Sequence, residues 1–261
     1  MNLARALAIT GLSLCSVWMS YAQDPARPGF TVRSAQTVVH VQAPAPSEAL
    51  GYLERTLADM AFFRANGYQV SLPDHPLFDG SEMATADADE RRLRFIEDVY
   101  AAADFEAALA ALQGQHDHLR TAMERLASWG VHDGLQAWDS VTVTLTLYGP
   151  GGSFDPDAGH ITLWTDTQGQ FKGGGGLHTI IHEMIHLAVE QGIAQPLHLQ
   201  HWERERLVDL LAQREFTDLL PDYRLQGGPE APMDRFVADA ELAVLKEAVA
   251  DYVRNGRPEE P

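Results

Sequence analysis

The chain has 261 residues, 45% of them hydrophobic, with 37 acidic against 19 basic residues and a formal net charge of −18. That length and apolar content can build a core, which argues against global disorder. The acidity argues against a nucleic-acid or anionic-membrane partner, because both favour a basic surface.

The first 22 residues read as a secretory signal: Arg5 near the start, a largely apolar run over 6–17, and Ser20-Tyr21-Ala22 as a small-x-small cleavage site. The run is too short to span a bilayer, so no membrane span is expected once the signal is removed. Cys15 is the sole cysteine and follows Leu14, whereas a lipoprotein signal places a small residue there. Cleavage after Ala22 would leave no thiol, hence no disulfide and no thiolate metal site. The expected location is secreted or periplasmic.

Residues 23–46 are rich in Pro and Ala and read as a flexible linker, with a short extended piece at 37–41. A helical region is predicted over 47–135. Leu50, Leu53, Leu57 and Met60 recur at helical spacing until Asn66-Gly67, a long helix spans about 87–113, and a third ends near Trp129-Gly130. Then the period changes. Val141, Val143, Leu145 and Leu147 alternate with threonines, which is the pattern of a half-buried strand. Residues 160–165 make a second strand, and the two form either an antiparallel hairpin with a long loop or part of a larger sheet. Gly173 to Gly176 lack the Gly-Lys-Ser/Thr ending of a phosphate-binding loop and read as a hinge or a close backbone approach. Helices are predicted over 177–191, 200–216 and 234–254.

The helix at 177–191 carries His182-Glu183-Met184-Ile185-His186. Histidines four apart share one helix face, so both rings can reach one tetrahedral Zn2+. Glu183, beside the first ligand, is placed to draw a proton from a zinc-held water. The helix is apolar on nearly every side, so burial of these three groups is costly unless a cation satisfies them together. A third ligand must come from elsewhere. Glu205, after eighteen intervening residues, is favoured over His201 and Glu190. Asp209 lies one turn beyond Glu205 and can orient a ligating imidazole.

His-Glu-x-x-His, eighteen residues, then Glu resembles the gluzincin zinc metallopeptidases. Glu-x-x-x-Asp at 205–209 is similar to the thermolysin branch, and the spacer to the aminopeptidase-N branch. The match covers about residues 177–210. The resemblance implies an α+β fold: a predominantly helical zincin-like domain, with its core in 136–261 and a small antiparallel sheet beside the active-site helix. It implies His182, His186 and Glu205 as metal ligands, Glu183 as catalytic base, and a peptide or protein substrate paired with an edge strand, expected at 160–165. It also implies a Tyr or His donor for the oxyanion, with Tyr223, Tyr252 and His198 as candidates. The activity expected is peptide-bond hydrolysis. The alternatives are a non-catalytic exported zinc-binding protein and a zinc hydrolase of a non-protein amide or cell-wall peptide. A closed site with a fourth protein ligand would mark the non-catalytic case.

Overall fold

The computed structural model describes residues 27–78, 87–172, 175–223, 225 and 231–258. The expected signal segment lies outside the described residues. The fold is α+β, with helices packed around one small sheet.

The sheet has five strands in the order β1-β2-β3-β5-β4: β1 (Gly29–Arg33), β2 (Val38–Gln42), β3 (Ser140–Thr146), β4 (Ser153–Asp155) and β5 (His160–Trp164). It is mixed, which corrects the antiparallel sheet expected from the sequence. β1 and β2 form an antiparallel hairpin, but β2 pairs parallel to β3, and β3 parallel to β5. The reason lies in the connection after β3. The chain crosses to the edge of the sheet, lays down β4, and returns through a short turn as β5 between β4 and β3. A strand that re-enters beside its predecessor after an intervening hairpin arm must run parallel to it.

Residues 23–46 were expected to be linker with a short extended piece at 37–41; β2 answers to that piece, while β1 was not expected. Val32, Val39 and Val41 are fully buried and join Val141, Val143, Leu145, Ile161 and Leu163 in the main core. The Pro- and Ala-rich surroundings obscure β1, whereas the alternating valines of β2 fit a pleated, half-buried surface.

The helices are α1 (Pro46–Ala58), α2 (Met60–Ala65), α3 (Ala88–Arg94), α4 (Glu106–Gln113), α5 (His116–Trp129), α6 (Gly176–Val189), α7 (His201–Glu215), α8 (Asp234–Val237) and α9 (Leu245–Asn255). The single helix expected over 87–113 is interrupted by a π-helical turn at Phe95–Val99 and a 3-10 turn at Ala102–Phe105. That break turns Phe95 into a second small core with Leu50, Leu53, Leu77 and Phe78, while Phe105 joins the main core. Likewise the helix expected over 234–254 divides into α8 and α9.

α6 is the central element. It packs on β4, β5, α5 and α7. Leu177, Ile180, Ile181, Ile185, Leu187, Ala188 and Val189 fill the core around it. At its start Gly176 lets the chain pass close to α4, since a Cβ there would lie 2.5 Å from a Leu112 methyl. Close approach therefore accounts for this member of the glycine run, while Gly173 and Gly174 lie outside the described residues. α7 is held by its own start, where Glu203 accepts from the Gln200 amide at 2.8 Å, and by a buried Arg206 that pairs with Asp234 at the head of α8. Among the described residues no helix is long and apolar enough to cross a membrane.

Candidate metal centre

His182 and His186 stand one turn apart on α6, and Glu205 reaches them from α7. His182 Nε2 is 3.1 Å from His186 Nε2 and 3.2 Å from Glu205 Oε2. His186 Nε2 is 3.4 Å from Glu205 Oε1. Donors on a tetrahedral ion with bonds of about 2.0–2.1 Å lie about 3.4 Å from one another, so this spacing fits zinc. The chemistry of the set, two imidazoles and one carboxylate, fits it as well. Among the described residues these three form the group able to hold a metal ion. His201, weighed as a third ligand, has its Nε2 tied to the Tyr68 hydroxyl at 2.7 Å and its Nδ1 3.9 Å from Glu205. Glu190, the other alternative, is paired with Arg204 at 3.0 Å.

The two rings are fixed differently. His182 Nδ1 lies 2.8 Å from the Tyr223 hydroxyl, which donates to Asp209 Oδ1 at 2.7 Å. His186 is instead stacked on Phe154 of β4, with centroids 4.5 Å apart and planes 10° apart. Its Nδ1 is buried and has no hydrogen-bond partner among the described residues.

The electrostatics are those of a buried cluster short of positive charge. Burial opposes a charge on Glu205, but hydrogen bonds from His182 and His186 outweigh it and hold the carboxyl well below the usual range. Burial likewise opposes a charge on His182, yet Glu205, Glu183 and Asp209 together raise its pKa. Burial lowers His186 to about 4. Burial pushes Glu183 up to about 7. A cation among these groups would satisfy the two carboxylates and both Nε2 lone pairs together.

The cluster opens on a cleft of about 1260 Å³. Its floor is the face of α6 bearing His178, His182, Glu183 and His186, and Glu205 and His201 of α7 also line it. Tyr52, Phe62, Phe63 and Tyr68 line it from the N-terminal helical region, and residues 150–154 from the approach to β4. Glu183 faces that approach, since a Cβ on Gly152 would come within 2.5 Å of its Oε1.

Sequence reasoning located Glu183, His182, His186, Glu205 and Asp209, and the structure brings all five together. The edge strand beside α6 is β4, where the sequence pointed to 160–165; that strand, β5, is enclosed by β3 and β4. Of the expected oxyanion donors, Tyr223 lines the cleft but its hydroxyl is held between His182 Nδ1 and Asp209 Oδ1. Tyr252 is bonded to Glu203 at 2.7 Å and, like His198, does not line the cleft. Three cleft residues were missed. His178 was readable, since it precedes His182 by four as His182 precedes His186. Tyr68 carried no signal because it meets His201 from 133 residues away. Phe154 sits in a strand of three residues, too short for periodicity.

Compared with protein-family models, curated proteins and solved structures, the chain has no match.

Proposed function

We propose that the protein is an exported zinc metallopeptidase in which His182, His186 and Glu205 hold the metal. The observation that carries this reading is the convergence of three donor atoms from α6 and α7 at tetrahedral spacing, with Glu183 beside them on the floor of an open cleft. When bound there, zinc supplies a Lewis acid and lowers the pKa of water. Glu183 accepts the proton of the attacking water and delivers it to the leaving amine. Tyr68, which lines the cleft with its hydroxyl 2.7 Å from His201 Nε2, one turn before Glu205 on α7, is the hydroxyl assigned to the oxyanion.

The substrate is an extended peptide. β4 ends the sheet, so its outer edge presents backbone donors and acceptors beside α6, and an added strand would satisfy them. Pro150, Gly151 and Gly152 keep side-chain bulk away from that edge. The non-catalytic reading calls for a closed set of four protein ligands, and the donor set here has three among the described residues. Export rests on the apolar, cleavable start of the chain.

A pair of variants tests the reading. Glu183→Gln is expected to retain stoichiometric zinc and lose peptide hydrolysis by a factor of about 10²–10⁴, while Glu205→Ala loses the zinc itself. Undiminished turnover by Glu183→Gln contradicts the assignment.

A further inference from the structure

We infer that Tyr223 is a positioning residue that fixes the tautomer of His182 by relaying its ring N–H to Asp209. The inference rests on the zinc reading above only for what the tautomer is used for. A carboxylate that orients a ligating imidazole ordinarily touches it, and here it does not. His182 Nδ1 and Asp209 Oδ1 are 3.9 Å apart, beyond hydrogen-bond reach. The tyrosine oxygen fills the gap, 2.8 Å from the ring nitrogen and 2.7 Å from the carboxylate.

Counting protons sets the direction of the relay. A carboxylate only accepts, so the one hydroxyl hydrogen goes to Asp209. The hydroxyl oxygen then offers the ring nitrogen a lone pair, and Nδ1 must bring the hydrogen. Nε2 of His182 is then the nitrogen that faces His186 and Glu205: without a metal it donates to the Glu205 carboxylate, and it is the atom whose lone pair a metal would take while Nδ1 keeps its hydrogen. The reverse tautomer would set two lone pairs against each other at 2.8 Å.

The relay is held on three sides. Asp209 is fully buried on α7. The Tyr223 ring is stacked on His178, with centroids 4.5 Å apart and planes 15° apart. The Tyr223 amide donates to the Leu220 carbonyl at 3.1 Å, which ties the residue to the chain leaving α7. A hydroxyl so engaged is not free to meet a substrate, which separates Tyr223 from the role assigned to Tyr68. His178 thereby acquires a use as the platform for the ring.

Tyr223→Phe removes one oxygen and keeps the stacked ring. Two measurements on the full chain decide the matter. The first is nitrogen-15 NMR of the imidazole rings in metal-free protein, where Nδ1 of His182 is expected to carry a hydrogen, with or without a second one on Nε2 toward Glu205, and to lose that preference in Tyr223→Phe. The second is zinc affinity by chelator competition, expected to fall about 10- to 100-fold in the variant. If the wild type shows the Nδ1–H form but binds no zinc, the relay stands and the metallopeptidase reading fails. If zinc binds and Tyr223→Phe alters neither tautomer nor affinity, the relay is overturned and the zinc reading survives. A variant with unchanged affinity and tautomer but impaired hydrolysis overturns it too, since the hydroxyl would then act on substrate. A Tyr223→Phe chain that does not fold leaves the wild-type ring to decide, and an Nδ1 without hydrogen overturns the relay.

Discussion

Two tyrosine hydroxyls stand near the three donors, and their partners divide the work between them. Tyr223 lies behind His182, locked between Nδ1 and Asp209. Tyr68 meets His201 from the cleft side, one turn before Glu205 on α7. Loss of the Tyr68 hydroxyl is therefore expected to remove a donor used while the oxyanion forms and to leave the metal alone. Tyr68→Phe should lower kcat by about 10- to 10³-fold with zinc affinity unchanged. Steady-state kinetics beside chelator titration check this, and a fall in zinc affinity would count against it. The donors on α6 could be read from the sequence because helical spacing is local: 178, 182 and 186 share a face whatever the rest of the chain does. The role of Tyr223 could not, because interposition between a ring and a carboxylate depends on a difference of about an ångström in how α6 and α7 pack.

The site is a clamp between two helices and one strand. α6 supplies two rings and the base, α7 the carboxylate, and β4 the flat contact that holds His186 through Phe154. The approach of β4 to α6 is tight enough to test. Gly152→Ala would place a methyl 2.5 Å from Glu183 Oε1 and 2.6 Å from Thr179 Cγ2. Glu183 must turn away or β4 must shift, so hydrolysis is expected to fall at least tenfold while the His182, His186 and Glu205 donors still bind zinc. Kinetics with zinc stoichiometry measure both, and full activity would mean that Glu183 does not work from this position. Helices with continuous apolar faces were readable because Leu, Ile and Val at three- and four-residue spacing have few other ways to be buried. β3 was readable for the same reason at a period of two. β2 was legible as the extended piece at 37–41, but its partner β1 was hidden by the proline-rich segment before it. The parallel pairing of β3 with β5 was hidden because neither strand carries a mark of the direction of its neighbour. The interruption at 95–105 followed from tertiary packing, since Phe95 and Phe105 serve different cores.

At the scale of the whole molecule, a metal held by the proposed donors would add a tie between α6 and α7, which one continuous core already packs together. α6 presents the buried Glu183 and α7 the buried Asp209 and the half-buried Glu205, three acidic groups gathered at the floor and back of the cleft. Zinc held by this proposed site would bind the folded arrangement and not the extended chain, so it is expected to raise thermal stability by mass action. At a free concentration a hundredfold above Kd the gain is about 2.7 kcal/mol, a Tm increase on the order of 5–10 °C for a chain of this size. Differential scanning calorimetry should record that shift in the wild type and lose it in Glu205→Ala. An equal shift in both would place the stabilising ion elsewhere. The most direct test of the account is a crystal grown with zinc and measured across the zinc absorption edge. One anomalous peak is expected, bonded by Nε2 of His182, Nε2 of His186 and the Glu205 carboxylate, with a face open to the cleft. No peak between α6 and α7, or a peak closed by a fourth protein ligand, contradicts it.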